Sequence, residues 1–257
     1  MGASRGTRKI AARGWGVGKI KQILAAGLCL LAAGCASMVA PDSAAQNDPL
    51  EPVNRLVFSL NQTLDKRAAL PAAQLYASTV PNPLRQSVHN VLSNLGLPVT
   101  MGNDILQGRF DGASETFGRF AINTTLGIGG LFDFATDWGL PVSNEDFGQT
   151  LGVYGVGEGP YLVLPLIGPD PPRDLAGAYV DSFLSPLGYV HFTGRTYVSM
   201  TRSILGTVDT RSRSLVTYGD IERASVDSYA TQRSLYRARR NAAIRNGGAD
   251  IQGLPEF

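Results

Sequence analysis

DPLEPVNRLVFSLNQTL, residues 48–64, sets an acid, a proline and a glutamate ahead of Val53, Leu56, Val57, Leu60 and Leu64, apolar positions spaced three, four and seven apart. Asp48 in the N-cap position, Pro49 at the first helical position and Glu51 three residues after the cap make a capping box. The spacing predicts an amphipathic helix with one apolar face. The pattern recurs downstream. Pro81-Asn82-Pro83 opens a helix with Leu84, Val88, Val91, Leu92 and Leu95 on one side, and Pro98 begins a shorter one. Residues 111–125 place Ala113, Phe117, Phe120, Ala121 and Thr124 on one face before glycines 127, 129 and 130 break the period. Helical periodicity also marks 175–184, 187–205 and 226–245. The expected fold is all-α, with one domain over 48–246 and a frayed tail at 247–257.

The stretch 147–169, FGQTLGVYGVGEGPYLVLPLIGP, breaks this pattern with a run of glycines followed by an apolar segment that contains Pro165. Proline inside the run disfavours a central strand and points to an irregular apolar hairpin.

Upstream of the domain, residues 1–34 carry Arg5, Arg8, Lys9, Arg13, Lys19 and Lys21 and no acid. An apolar run of eleven residues, Ile23 to Ala33, follows. That is the layout of an export signal, and the run is shorter than the roughly 20 residues of a spanning helix. Leu31-Ala32-Ala33-Gly34-Cys35 resembles the lipobox of bacterial lipoproteins, with cleavage before Cys35 and acylation of that cysteine. An ordinary small-residue cleavage site is the alternative. Residues 35–47 then read as a lipidated, flexible tether. Ala36, not aspartate, follows the cysteine, which favours the outer membrane under the enterobacterial sorting rule.

Removal of the signal leaves seventeen basic against twenty-one acidic residues, a net charge of −4, whereas the precursor is +2. A mildly acidic chain argues against nucleic acid as a partner. The charge is uneven: residues 36–194 sum to −8 and 195–257 to +4, with all ten basic groups in the latter being arginine. A basic segment behind an acidic body suggests docking to an acidic partner or anionic headgroups through Arg237, Arg239, Arg240 and Arg245, or else a solvated helix face.

Few catalytic signatures are present. His89 and His191 lie far apart with no second ligand at zinc spacing, and Cys35 is the one cysteine left after cleavage. The glycines at 152–159 do not form a phosphate loop, because Pro160 stands where GxGxxG needs glycine. No GxSxG elbow occurs, and Glu145, Asp146 and Glu158 read as loop carboxylates. Neither an enzyme nor a cofactor is expected.

Asp48-Pro49-Leu50-Glu51-Pro52-Val53-Asn54-Arg55 resembles the opening signature of the MlaA (VacJ) family of outer-membrane phospholipid-transport lipoproteins. The resemblance continues through PNPLR at 81–85, NVLSNL at 90–95, LQG at 106–108, RFAINTTLG at 119–127, GGLFD at 129–133, DFGQTLG at 146–152, GVGEGPY at 155–161 and Leu164-Pro165. It fades beyond residue 195. Pro52 and Val53 depart from the glycine and aromatic common in the family.

The resemblance implies a ring of amphipathic helices in the inner leaflet of the outer membrane, facing the periplasm, around an amphipathic lipid channel with a glycine-rich hairpin loop. It implies that phospholipids misplaced in the outer leaflet pass intact to a periplasmic shuttle of the MlaC type, with a trimeric porin alongside. The family's channel hairpin falls on Gly155, Gly157, Gly159, Pro160 and Tyr161, and its first-helix membrane and gating segment on Asn54, Arg55, Leu56, Val57 and Phe58. A lipoprotein that binds a partner and moves no lipid, structural or adhesive, is the competing reading. For any single helix, an ordinary soluble core is an alternative to interfacial immersion.

Overall fold

A computed structural model describes residues 46–189 and 193–245. Cys35, the export signal, most of the tether, His191 and the tail from 247 lie outside the described residues. The helices are α1 (Glu51–Leu64), α2 (Leu70–Thr79), α3 (Asn82–Asn94), α4 (Leu97–Leu106), α5 (Phe110–Thr125), α6 (Phe134–Asp137) and α7 (Phe147–Val153). A two-residue strand pair follows, β1 (Val163–Leu164) antiparallel to β2 (Gly168–Pro169), with Val163 opposite Pro169. Then come α8 (Pro172–Leu184), α9 (Arg195–Arg213), α10 (Leu215–Ala224) and α11 (Ser228–Ile244). The architecture is helical, as the periodicity predicts.

The expected stripes are real, but part of each points outward. On α1 the polar Asn54 is fully buried while Leu56 is 70 % exposed. On α5 the buried positions are Gly112, Ala113, Thr116, Arg119 and Asn123, whereas Phe110 and Phe117 face out. Leu84, Trp138 and Leu166 are also more than half exposed. The interior is correspondingly polar, with Asp48, Asn103, Asp104, Asp209 and Arg233 all nearly inaccessible. Apolar surface on this scale marks contact with a partner or membrane, while Val57 and Ala113 of the same stripes pack inward.

Buried polar groups persist when they pair, and here pairing sets the packing. Asp104 on α4 accepts from Thr116 Oγ1 on α5 at 3.0 Å and pairs with Arg109 at 3.1 Å. Arg119 of α5 reaches Asp133 at 2.9 Å and the Leu140 carbonyl at 2.7 Å, which fixes the loop around α6. Asn103 of α4 donates to Asp181 of α8 at 2.8 Å, and Asp181 also accepts the N–H of Phe147 at the start of α7. Helices α7 and α8 cross where glycines meet: a Cβ on Gly177 would sit 2.3 Å from the Gly148 nitrogen.

Helix α11 closes the molecule with three arginines spaced four and three apart. Arg233 pairs with Asp48 at 2.5 Å. Arg237 pairs with Glu158 at 2.8 Å and donates to the carbonyls of Gln46 and Asn47. Arg240 reaches Asp146 at 2.5 and 2.6 Å and Asp174 at 3.0 Å. The −8/+4 asymmetry is thus largely complementarity within the chain. For Arg237 and Arg240 the expected docking role gives way to internal pairing. Arg239 is partly buried and Arg245 is exposed at the helix end.

Two local expectations change for the same reason. Asp48 does not close a capping box: its carboxylate turns inward to Arg233, Tyr229 and Asn54, and α1 starts at Glu51 without a side-chain cap. The tether is fixed by its last two residues, because Arg233 and Arg237 hold Gln46 and Asn47. Residues 65–69 continue α1 as a π-helical turn into α2, and α10 follows α9; neither was evident from the apolar period. The helix expected over 187–205 is instead a 3₁₀ turn at Pro186–Gly188 and then α9, which starts after Gly194 at φ +95°.

Substituting Arg240→Met would leave the part-buried Asp146 without its cation and Asp174 with Arg173 alone, and losing one partner of a buried pair costs about 3–5 kcal/mol, with the lower end expected here because Asp146 is partly solvated. Denaturant unfolding followed by helical circular dichroism should show that loss, while the exposed Arg223→Met should change stability by less than about 1 kcal/mol.

Asp170 gives a pH signature. Burial, with the nearby Asp174 carboxylate adding to it, pushes the Asp170 acid up from 3.8 to about 6. The folded state therefore holds this proton more tightly than the unfolded chain. Its stabilising effect is full below about 3.8 and lost as pH rises through 6. Asp170→Asn cannot lose a proton, so it should be neutral near pH 4 and stabilising above pH 6. Partial solvent exposure reduces the gain to about 1 kcal/mol. Melting curves of both proteins across that window check the sign.

Candidate functional site

A cavity of about 570 Å³ lies between the end of α1, the π turn, the β1–β2 hairpin and helices α9, α10 and α11. Phe58, Leu64, Ala68, Ala69, Leu166 and Ile221 supply apolar wall. Asn61, Gln62, Asp65, Lys66, Thr207, Thr210, Arg211, Ser214, Glu222 and Gln232 supply polar wall. The charged groups occur as opposed pairs. Arg211 Nε donates to Asp65 Oδ1 at 2.8 Å and Nη2 to Oδ2 at 3.0 Å, and Lys66 Nζ pairs with Glu222 Oε1, which also accepts from Gln62 at 3.1 Å. A wall that is part apolar and part polar, with compensated charge, suits an amphiphile better than a fully charged or fully apolar ligand.

The hairpin wall is held by two amides of α1, two helical turns apart. Asn54 Nδ2 donates to the Tyr161 carbonyl at 2.9 Å, and its Oδ1 accepts the Val163 N–H at 3.0 Å. Asn61 repeats the arrangement with the Leu164 carbonyl at 2.8 Å and the Leu166 N–H at 2.8 Å. Each amide therefore acts as one rung of a missing strand. Leu166 at the tip has φ +68° and is 81 % exposed. A bulky residue in that backbone region is strained and persists only where its surroundings impose it.

Of the first-helix candidates, Arg55 makes a two-nitrogen pair with Asp227, at 3.1 and 2.7 Å, and lies 4.5 Å from the Tyr229 ring centre. Asp227 caps α11 by accepting from the N–H groups of Tyr229 and Ala230, so Arg55 ties α1 to the start of α11. Val57 and Phe58 pack on the aromatic cluster of Tyr161, Val163 and Tyr229, with the Phe58 and Tyr229 rings edge-on at 5.7 Å. Leu56 alone of these five points out.

The glycine-rich candidates divide differently. Gly155, at φ +83°, ends α7 in a Schellman motif, with the Val156 N–H on the Leu151 carbonyl and the Gly155 N–H on the Gly152 carbonyl. Gly159 lies against Pro172, Pro160 is exposed, and nothing lies within 4 Å of a Cβ built on Gly157. Tyr161 is fully buried, and its N–H donates to the Asn47 carbonyl. Residues 155–160 form a loop and not the paired hairpin, which begins at Val163. None of Gly155, Gly157, Gly159, Pro160 and Tyr161 lines the cavity; Leu166 and Gly168 of the true hairpin do.

The tail arginines 237, 239, 240 and 245 are also off the cavity wall. Asp65, Lys66, Arg211, Glu222 and Gln232 were not singled out from the sequence. Their one sequence signal is Asp65-Lys66-Arg67, a charged run cutting into the apolar period directly after Leu64. His89 pairs with Asp209 at 3.0 Å. Among the described residues no group of His, Cys, Asp and Glu could hold a metal ion, and no helix is long and apolar enough to cross a membrane.

A family model described as MlaA lipoprotein matches residues 46–243. The intermembrane phospholipid transport system lipoprotein MlaA of Escherichia coli K12 is 36 % identical over 229 residues, 88 % of each chain. The Haemophilus influenzae protein of the same name is 33 % identical over 235 residues, 89 % of this chain and 92 % of its own. An uncharacterized protein of Rickettsia bellii is 37 % identical over 201 residues, 77 % of each chain. A solved structure described as the structural basis for maintenance of bacterial outer membrane lipid asymmetry superimposes with a TM-score of 0.69 at 36 % identity, covering 77 % of this chain and 98 % of that one. The family model spans the helical body through residue 243, cavity walls included, and the chain belongs to the MlaA lipoprotein family.

Proposed function

We propose that this protein is an outer-membrane lipoprotein that takes phospholipids misplaced in the outer leaflet through its amphipathic cavity and delivers them intact to a periplasmic shuttle of the MlaC type. One observation carries the reading most directly: exposed apolar side chains surround a polar, ion-paired interior beside an amphipathic cavity. A lipid-embedded body needs that outer surface, and a headgroup crossing a bilayer needs that polar wall. The names of the Escherichia coli and Haemophilus influenzae relatives support the same assignment.

In this reading acyl chains on Cys35 anchor the chain, and its helices lie in the inner leaflet facing the periplasm, with a trimeric porin at the apolar exterior. Leu56, in the middle of α1, contacts the hydrocarbon, while Asn54, Arg55, Val57 and Phe58 fix how α1 meets the hairpin. The loop at Gly155–Tyr161 acts on lipid passage through the hairpin that follows it. Arg239 and Arg245 remain candidates for contact with the shuttle or anionic lipid.

Deleting the protein from its host should raise outer-leaflet phospholipid and detergent sensitivity; unchanged values of both would sink the assignment. Recovered lipid should be diacyl by mass spectrometry, since lyso-lipid would indicate hydrolysis.

A scaffold that moves no lipid is separated by the loop and hairpin tip. A Cβ on Gly157 meets open space and Leu166 is already exposed, so Gly157→Trp and Leu166→Asp should both keep the fold. If the loop and tip control passage, each should cut lipid transfer to the shuttle at least about fivefold, roughly 1 kcal/mol on the transfer step. Wild-type transfer by both variants would take the loop and tip out of the passage, and a scaffold would show no transfer to the shuttle even as the wild type.

A further inference from the structure

Arg211 stands on the cavity wall with 13 % of its side chain accessible. Two of its nitrogens are fixed on Asp65, and its guanidinium carbon lies 4.8 Å from the centre of the Tyr218 ring. The fork is therefore held on one edge and one face. Its third nitrogen, Nη1, is buried and has no hydrogen-bond partner among the described residues. Gln232 of α11 contacts the same tyrosine, Nε2 donating to the Tyr218 hydroxyl oxygen at 3.4 Å, and its Oε1 is likewise buried and unpartnered. Two residues of one cavity wall thus carry, around one phenol, an unused charged donor and an unused acceptor, both covered by neighbouring atoms.

Buried polar atoms are rarely left unpaired, and those that are call for an explanation. Here both atoms belong to residues lining the same cavity, so a ligand in that cavity can complete both once the side chains covering them shift aside. Guanidinium binds phosphate oxygens through charge-assisted hydrogen bonds. The neighbouring charges compensate, with Lys66 and Arg211 set against Glu222 and Asp65. The wall is neutral in sum, which fits a ligand that is itself anionic at one end and a hydrogen donor at the other.

We infer that Arg211 and Gln232 form a headgroup subsite, in which Arg211 Nη1 donates to a phosphodiester oxygen and Gln232 Oε1 accepts from the headgroup's N–H or O–H. The inference rests on the lipid-transport reading and adds a chemical preference to it. An ethanolamine ammonium or a glycerol hydroxyl can donate to Gln232, whereas choline has no N–H or O–H to give. Asp65 is a positioning residue that orients the guanidinium.

The test uses the full-length acylated protein equilibrated with nanodiscs of equal parts phosphatidylethanolamine and phosphatidylcholine, with bound lipid read by native mass spectrometry. The wild type should retain phosphatidylethanolamine several-fold over phosphatidylcholine. Arg211→Gln should lower retention of both lipids about tenfold, as expected for one charge-assisted hydrogen bond. Gln232→Leu should erase the preference with a smaller loss of total retention.

Wild-type retention by Arg211→Gln at unchanged helical content overturns the subsite. If Arg211→Gln does not fold, Gln232→Leu decides, and an unaltered headgroup preference overturns it. A parallel arm offers inorganic phosphate and glycerophosphoethanolamine without acyl chains. Arg211-dependent binding of these with no retained diacyl lipid would assign the site to a soluble phosphate and overturn the headgroup assignment. A wild type that retains no phospholipid in either form removes the transport reading itself, an outcome distinct from retention that is indifferent to Arg211.

Discussion

The ion pairs of α11 with the rest of the chain are what the molecule is built around. A soluble domain gathers its elements by removing apolar surface from water. Here much of the large apolar surface stays outside, so that driving force is largely unavailable between helices. Cohesion then falls to packing and to polar contacts between elements. Arg233, Arg237 and Arg240 meet acids from residues 48, 158, 146 and 174, four points distant in sequence, and draw them against one helix. Burying so many charges is costly unless nearly all are paired. The pairing is shared: Asp146 caps α7 while it holds Arg240, and Asp174 accepts from Arg173, Arg240 and the Tyr236 hydroxyl. Burial works to raise both acids, but these partners outweigh it and hold each below the usual carboxylate range, so both stay charged at neutral pH.

The same constraint shapes the cavity. Helices drawn together by discrete polar contacts need not fill every volume between them, as an apolar core must. Asn54 and Asn61 hold the hairpin to α1 by backbone groups alone, which leaves Leu166 and its neighbours free of the interior. The π turn at 65–69 carries Asp65 and Lys66 onto the wall, and π turns are over-represented where a helix serves function as well as support.

How much of this was legible in the sequence depends on what each feature requires. Helices with strong periodicity were legible, and α3, α5, α8 and α11 fall close to the predicted spans, because amphipathicity is written in local spacing. Which side faces inward was not, since the period alone does not distinguish a stripe turned to a core from one turned to lipid. Asn54 beside Leu56 is a hint, an amide on the flank of the stripe that proves to be the buried face. The charge split is legible as a number but its partners are not, because complementarity between Arg240 and Asp146 exists only once the 93 intervening residues are folded. The glycines of 155–159 lie in the loop ahead of the paired strands. Gly155 serves a helix end, a role that glycine takes as readily as a turn. Arg211 and Gln232 could not be found at all, since what distinguishes them is an unpaired atom in three dimensions.

A transport site must also release what it takes in. A conduit works when binding is favourable enough for entry and weak enough for exit. A bare buried arginine would hold a phosphate too firmly and would itself be costly to bury. Asp65 lessens both problems by neutralising most of the Arg211 charge on one edge and leaving one nitrogen to interact. The Lys66–Glu222 pair does the same nearby, and its greater exposure, 50 % and 40 %, gives it water as an alternative partner. A wall of compensated pairs offers a headgroup local contacts without a deep electrostatic well. Lipid could then move through such a cavity in either direction, with the direction of net flow set by the affinities of the partners at its two ends.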